Sequence, residues 1–286
     1  VAGRLPWIAA VLSGSALAFI GILNLLGYAF LYHPHPYRAN YQQLLSTGVI
    51  ELPFKTNAGR QTAFYIPPHN GSDLPDQIWV VFCGNGSLAL DWLPLTARDQ
   101  NPGNAFLLVD YPGYGKSEGW PNIVNTRFAA DGALVALAAW LGVEPTTLEP
   151  RLDTMGHSLG AAVALDFASH HPQVRRIILL APFTSLREEA AYFIGSPLSH
   201  LLVGNCDNRA ALRQPAQRRP PPRVVIFSGL EDAMIPPGMG RELAAEFPGF
   251  VTFRRIPEAT HDTVVAAAED EILGLMADDA KERIAR

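Results

Sequence analysis

Five residues constrain this chain more than any others: Gly156-His157-Ser158-Leu159-Gly160. The residues before them (151–155, RLDTM) read as a short strand, and those after them (161–169, AAVALDFAS) as a helix with a small-residue inner face. A G-x-S-x-G run between a strand and a helix is the nucleophile-elbow pattern, in which a sharp turn lifts the serine hydroxyl clear of a sheet. The turn needs a strained backbone at the serine, and a side chain at 156 or 160 would strike the neighbouring helix or strand. The competing reading is an incidental serine in a tight turn, and the rest of the chain decides between the two.

An elbow of this kind needs a sheet around it. Near-continuous apolar runs at 78–83, 105–109, 176–180 and 224–227 fit strands covered on both faces. Residues 49–54 and 62–66 flank the turn signal Asn57-Ala58-Gly59-Arg60 and predict an antiparallel hairpin at one edge, while 251–256 closes the series. Helical patterns at 91–99, 126–140, 158–170, 239–247 and 261–284 fall between the strands. Such alternation predicts an α/β fold, with a mostly parallel sheet and helices on both faces. At 286 residues, 48% of them hydrophobic, the chain suits one large domain over 48–286 with a small extra. The alternation breaks at 184–222, an irregular stretch with Pro197, Gly204, Pro215 and Pro220-Pro221-Pro222. It reads as a small lid insertion. Arg209, Arg213, Arg218, Arg219 and Arg223 towards its end read as a solvated loop, with contact to an anionic lipid or acidic substrate as the alternative.

Residues 5–32 carry no charged side chain. That run exceeds the ~20 apolar residues that cross a bilayer core and the ~7–15 of a signal-peptide apolar region. It ends in Tyr28, Phe30, Tyr32 and His33, which resembles an interfacial aromatic anchor. We therefore expect residues 1–32 to be an N-terminal transmembrane anchor, with a signal peptide as the competitor, and 33–47 to be a linker. His33 and His35 in that linker read as solvated rather than as metal ligands, because no carboxylate or third ligand lies nearby. Arg4 and the α-amine precede the span and Arg38 follows it. This thin asymmetry leans towards a single-pass protein with a non-cytoplasmic catalytic domain. A net charge of −5 points away from a nucleic-acid partner. The two cysteines, Cys83 and Cys206, give neither a zinc spacing nor a disulfide scaffold, and whether they pair is left open.

A serine needs a base to take its proton, usually a histidine oriented by a carboxylate. In the chain order of this elbow class, acid and histidine follow the serine on later strands. The strand at 224–227 leads to Asp232, just past its carboxyl end, with Glu231 as a rival; the strand at 251–256 leads to His261. His157 lies inside the elbow and is expected to point away from the substrate side, and His170 and His171 read as surface residues. The oxyanion of a tetrahedral intermediate needs backbone donors. Candidates are the N–H of Leu159, at the helix N-terminus, and that of Asn85, in the loop Cys83-Gly84-Asn85-Gly86-Ser87. No Lys follows that loop, so it is not read as a nucleotide loop.

In order, Cys83-Gly84-Asn85-Gly86, the run from Asp110 to Gly119 (DYPGYGKSEG), the elbow, Ala181-Pro182-Phe183-Thr184-Ser185-Leu186, Gly229-Leu230-Glu231-Asp232 and His261 resemble the α/β-hydrolase superfamily from about Gly48 onward. The D-Y-x-G-Y-G-x-S-x-G and A-P-F-T-S-L runs are similar to its Bem46-like branch of membrane-anchored serine hydrolases. That branch usually has His-Gly-Asn-Ala where this chain has Cys83-Gly84-Asn85-Gly86. The substitution leaves a backbone donor in place and changes how the loop is braced and which substrates fit. The resemblance and the residues together lead us to expect a serine hydrolase that cleaves carboxylic ester or thioester bonds through an acyl-enzyme. Ser158, Asp232 and His261 are the expected triad, with no metal or organic cofactor and a small ester or acyl substrate, lipids included. An amidase or serine peptidase of the same fold, and a non-catalytic hydrolase-fold protein that binds a ligand or partner, are the alternatives.

Overall fold

The computed structural model describes residues 4–38, 40–46, 48–204 and 206–277. Its centre is an eight-stranded sheet in the order β1-β2-β4-β3-β5-β6-β7-β8. β1 (Ile50–Thr56) and β2 (Gly59–Ile66) form the expected hairpin, and β2 pairs antiparallel with β4 (Asn104–Val109). From β4 onward all pairings are parallel, through β3 (Gln77–Phe82), β5 (Leu152–His157), β6 (Arg176–Leu180), β7 (Arg223–Gly229) and β8 (Val251–Ile256). β3, β4 and β6 bury every residue, as their unbroken apolar runs predict. Val80 and Phe82 join one core cluster, and Trp79 and Val81 the other. The period of two along a strand thus divides one apolar run between two layers.

The helices in chain order are α1 (Arg4–Leu31), α2 (Tyr41–Leu45), α3 (Leu93–Thr96), α4 (Ile123–Leu141), α5 (Pro145–Leu148), α6 (Leu159–His170), α7 (Leu186–Ile194), α8 (Ser196–Ser199), α9 (Asn208–Ala216), α10 (Pro237–Glu246), α11 (Val264–Ala267) and α12 (Glu269–Ala277). α4 starts three residues earlier than its apolar periodicity suggested. Asn122 caps it, its side chain accepting from the N–H of Asn125 at 2.8 Å, and Gly142 ends it at φ 70°. The last expected helix, over 261–284, is instead the pair α11 and α12, broken at Ala268; His261 lies in the loop before them, and residues 278–284 fall outside the described residues. Between β6 and β7 lie α7, α8 and α9, where the lid was expected.

Three local expectations change. The stretch at 33–47 is not a free linker on the described residues. Tyr32 just before it and Tyr41 within it are buried, and Tyr37 packs edge-on against Phe64 with ring centroids 5.8 Å apart. Aromatic rings spaced along the segment give it apolar surface to bury. His171 is not a surface residue: it is buried, stacked on Phe167, and bonded to Glu149 at 2.8 Å and Asp131 at 3.1 Å. Burial alone would lower its pKa, but the two carboxylates outweigh this and raise it. Of the five arginines after 207, Arg213, Arg219 and Arg223 are exposed as expected, but Arg209 and Arg218 are tied to the domain. Arg209 reaches Glu188 on α7 and Glu242 and Glu246 on α10, and Arg218 donates to the carbonyls of Ala168 and Val174.

α1 does not project freely from the domain. The Asn24 amide donates to the carbonyl of Leu201 at 3.0 Å, and its oxygen accepts from the N–H of Val203 at 2.6 Å. Tyr28 donates to the carbonyl of Pro121, and Phe30 meets Phe193 at 6.0 Å. The last two turns of the apolar helix therefore lie against the segment between β6 and β7 and the loop before α4.

On β5 and β6, Asp153 and Arg176 form a buried ion pair, with Arg176 Nε 2.5 Å from Asp153 Oδ2 and the guanidinium over the Trp79 ring. Arg176 also donates to the carbonyl of Leu275 at the end of α12. Removing one partner of such a pair strands a buried charge, so Asp153→Ala is expected to destabilise the fold by about 3–5 kcal/mol. Chemical unfolding of the variant reads this, and a loss below about 1 kcal/mol would mean that the charge finds another partner.

Candidate active site

The strand order reverses direction at the β3/β5 boundary: the chain leaves β3 towards β4 on one side and returns to β5 on the other. Loops at the carboxyl ends of strands around such a switch point form the crevice in which open α/β sheets bind ligands. Cys83 to Ser87 follow β3, Ser158 follows β5, Asp232 follows β7 and His261 follows β8. The sheet therefore brings together four segments spread through the sequence from Cys83 to His261.

At Ser158 the backbone has φ 56° and ψ −119°. A non-glycine residue at positive φ stores strain that only surrounding structure can hold. Here the N–H of Ser158 donates to Leu180 on β6 at 2.8 Å, and its carbonyl accepts from Ala161 at 2.9 Å. The two flanking glycines are required by close approach. A Cβ at Gly156 would lie 2.0 Å from the carbonyl oxygen of Gly160, and one at Gly160 would lie 2.3 Å from that of Phe82. Leu159 opens α6, so its N–H belongs to the first turn, at the positive end of the helix dipole.

Asp232 and His261 meet at 2.9 Å, between Oδ2 and Nδ1. The other carboxylate oxygen accepts from the backbone N–H groups of Met234 at 2.9 Å and Ile235 at 2.8 Å. Serine, acid and histidine are 7%, 6% and 8% exposed, so the acid–histidine pair is nearly dry while an edge stays open to solvent. Glu231, the rival acid, is exposed, and its N–H is tied to the carbonyl of Ala259.

Asn85 is fixed through its carbonyl, which accepts from the Tyr114 hydroxyl at 2.6 Å. Tyr111 does the same for Cys83 at 2.5 Å. Both tyrosines belong to the DYPGYG run, so the aromatic residues of one motif hold the loop of another. Asp110, at the head of that run, accepts from the N–H of Ala89; burial pushes its carboxyl up to about 7 against that bond. Cys83 and Cys206 are free thiols. Burial pushes the Cys83 thiol well up and that of Cys206 up to about 12, which keeps both as inert apolar groups. Among the described residues, no group of three His, Cys, Asp or Glu side chains could hold a metal ion.

Two residues near the chemistry were missed by sequence reasoning. His157 was expected to point away from the substrate side and was given no role; its ring lies 4.8 Å from that of His261, and Nε2 donates to the His261 carbonyl at 3.0 Å. It thus pins the loop that carries the histidine. Its position next to the serine was visible in the sequence, but its partner 104 residues away was not. Glu189 on α7 is half-buried and feels the charges of His261 and Asp232; burial, above all, pushes its carboxyl up to about 7. A cleft of about 370 Å³ opens nearby, lined by Gly84, Ser87, Trp92, His157 and Asp262 among others; Ser158 is not among its walls.

The sheet order, the elbow and the loops around it define the α/β-hydrolase fold, and residues 81–201 match the family profile for that fold. The chain has the α/β-hydrolase fold. It is 33% identical over 188 residues to an uncharacterized protein of Mycobacterium tuberculosis, Rv2307c, a match that covers 65% of this chain and 62% of the relative. It is 30% identical over 185 residues to the α/β-hydrolase domain-containing protein WAV2 of Arabidopsis thaliana, covering 58% and 57%. The chain thus matches about three fifths of the length of these curated relatives. Among solved structures it resembles an α/β hydrolase of Vibrio vulnificus, with a TM-score of 0.67 at 20% identity over 91% of this chain and 92% of that one. It also resembles the esterase Pf2001 of Pyrococcus furiosus, with a TM-score of 0.62 at 17% identity over 88% and 98%.

Burial, followed by the charge of His261, holds the pKa of His157 down to about 4, against the pull of the His261 carbonyl, Asp232 and Asp262. Its ordinary value is about 6.5, so as pH falls the unfolded chain binds this proton first and the folded state loses stability between about 6.5 and 4. His157→Asn is expected to flatten that part of the acid limb. Thermal midpoints of both proteins across the window test this, and parallel curves would remove His157 from the acid response.

Proposed function

We propose that this chain is a serine hydrolase that cleaves a carboxylic ester or thioester through an acyl-enzyme. The observation that carries the reading is the buried Asp232–His261 pair packed, through His157, beside a serine held at positive φ on an elbow. In the reaction, Ser158 Oγ attacks the acyl carbon while His261 Nε2 takes its proton. Asp232 holds the Nδ1–H, fixing the tautomer and stabilising the imidazolium. The N–H groups of Asn85 and Leu159 receive the oxyanion; one such donor is worth ~3–4 kcal/mol of barrier. His261 then protonates the leaving alcohol or thiol, and water, activated by the same histidine, releases the acid. The likeness to a Pyrococcus esterase supports an ester substrate.

The same reading makes α1 a membrane anchor, in keeping with the Bem46-like motifs. Within it, residues Ala10–Leu31 form a 22-residue apolar run of mean hydropathy 1.9, long enough to span a bilayer core. A signal sequence has the same composition. What favours an anchor is the surface around its last turns, where Trp120 and Val203 are 74% and 83% exposed and Tyr192 and Phe193 stand beside them. Aromatic and apolar side chains beside a spanning helix suit the membrane interface. A lipid-borne acyl substrate would reach the site from that side.

Ser158→Ala is expected to abolish hydrolysis of p-nitrophenyl esters and labelling by a fluorophosphonate probe while leaving the fold intact. Activity within ~10-fold of the unmodified protein would overturn the assignment, because losing a triad nucleophile costs several orders of magnitude. Asp232→Asn is expected to lower kcat far more than Glu231→Gln, and the reverse order would transfer the acid role to Glu231. Carbonate-washed membranes are expected to retain the full chain in the pellet; recovery in the supernatant, or an N-terminus near residue 30, would count against the anchor.

A further inference from the structure

We propose that the short segment joining α1 to the domain, Tyr32 to Tyr37, is a positioning element for the proposed oxyanion loop, so that the membrane tether and the catalytic site are one mechanical unit. The inference rests on the hydrolase reading above. It is carried by three separate grips of this segment on the chain that follows β3. First, the N–H of His33 points at the Asn85 carbonyl, 3.2 Å away, and at the Tyr114 hydroxyl, 2.9 Å away, which itself donates to that carbonyl. Second, His35, in the Nε2–H tautomer, donates to the carbonyl of Gly86 at 3.1 Å, while its own carbonyl accepts from the N–H of Gly115 at 2.9 Å. Third, the Tyr37 hydroxyl donates to Asp110 Oδ1 at 3.0 Å and accepts from the N–H of Leu90 at 3.4 Å. Asp110 holds the neighbouring N–H of Ala89 with that same oxygen.

The consequence follows from the geometry of a peptide unit. With Cys83 tied by Tyr111, and Asn85 and Gly86 tied from the segment side, the carbonyls on either side of the Asn85 amide are fixed. The peptide that carries the Asn85 N–H lies between them and has little freedom to turn away from the site. A hydrogen bond donor contributes to catalysis only if it is aimed before the charge develops. The segment is short and pinned at both ends: Tyr32 is buried in the core beside Tyr111 and Tyr114, and Tyr37 packs between Tyr41 and Phe64. A cut before Tyr32 would leave the strap in place, whereas a cut after Tyr37 would remove it.

The test uses full-length protein in detergent. His33→Pro removes the N–H, and with His35→Ala it also removes the bond to Gly86; Tyr37→Phe removes only a hydroxyl. Two readouts are needed, amide hydrogen exchange over residues 84–90 and steady-state kinetics on a short p-nitrophenyl ester. The double variant is expected to exchange faster in that loop and to lose about 10- to 100-fold in kcat, part of the loss on deleting a donor, with KM within about twofold. Tyr37→Phe is expected to do the same to a smaller degree and keeps the test decisive if the double variant does not fold. Unchanged exchange, or faster exchange with kcat intact, would overturn the proposal. Faster exchange in a protein whose unmodified form neither hydrolyses esters nor reacts with a fluorophosphonate would instead remove the hydrolase reading and keep the strap as a structural brace.

Discussion

A strand and a helix cross so closely at the elbow that neither can carry a side chain at the crossing. Backbone atoms of Gly160 sit where a Cβ of Gly156 would be, and backbone atoms of Phe82 where a Cβ of Gly160 would be. That approach packs β5, α6 and β3 against one another and leaves Ser158 at a positive φ that isolated chain would not adopt. It also puts the first turn of α6, the positive end of the helix dipole, directly after the serine. The proposed nucleophile and one of the two proposed oxyanion donors are therefore products of a single packing constraint.

Charge is handled in two ways along the same sheet. Asp153 and Arg176 neutralise each other in the interior, and the pair ties the C-terminal helix α12 to β6. Asp232 is buried without a cation: two backbone N–H groups serve one oxygen and the His261 imidazole the other. The first arrangement holds the fold together. The second holds the His261 ring by its Nδ1, with the His157 ring bonded to the carbonyl of the same residue.

The region between β6 and β7 connects the chemistry to the apolar helix. Arg209 gathers three glutamates from α7 and α10, which anchors the insertion to the domain, and the loop after α8 satisfies the polar atoms of Asn24 inside α1. Exposed ion pairs contribute little to stability individually, so the effect of the Arg209 cluster is orientation of α7 and α9 against α10.

The sequence by itself determined the eight strands, the elbow and the candidate triad, because each is written locally. Apolar runs specify buried strands, glycines at fixed spacing specify a close crossing, and the chain order of serine, acid and histidine follows the order of the strands. Asp232 was preferred to Glu231 for its place just past the end of β7, and it is Asp232 that meets His261. What only the tertiary structure decided are contacts between residues remote in sequence with no periodic signature. His157 finds the carbonyl of His261, His171 finds Glu149 and Asp131, and Arg209 finds its glutamates. The segment His33 to Tyr37 looked like a linker because its polar and proline-rich composition is that of a solvated chain. Its partners are backbone carbonyls at Asn85 and Gly86 and a carboxylate at Asp110. Backbone acceptors exist at every residue and leave no mark in a sequence, so only the folded chain can choose among them.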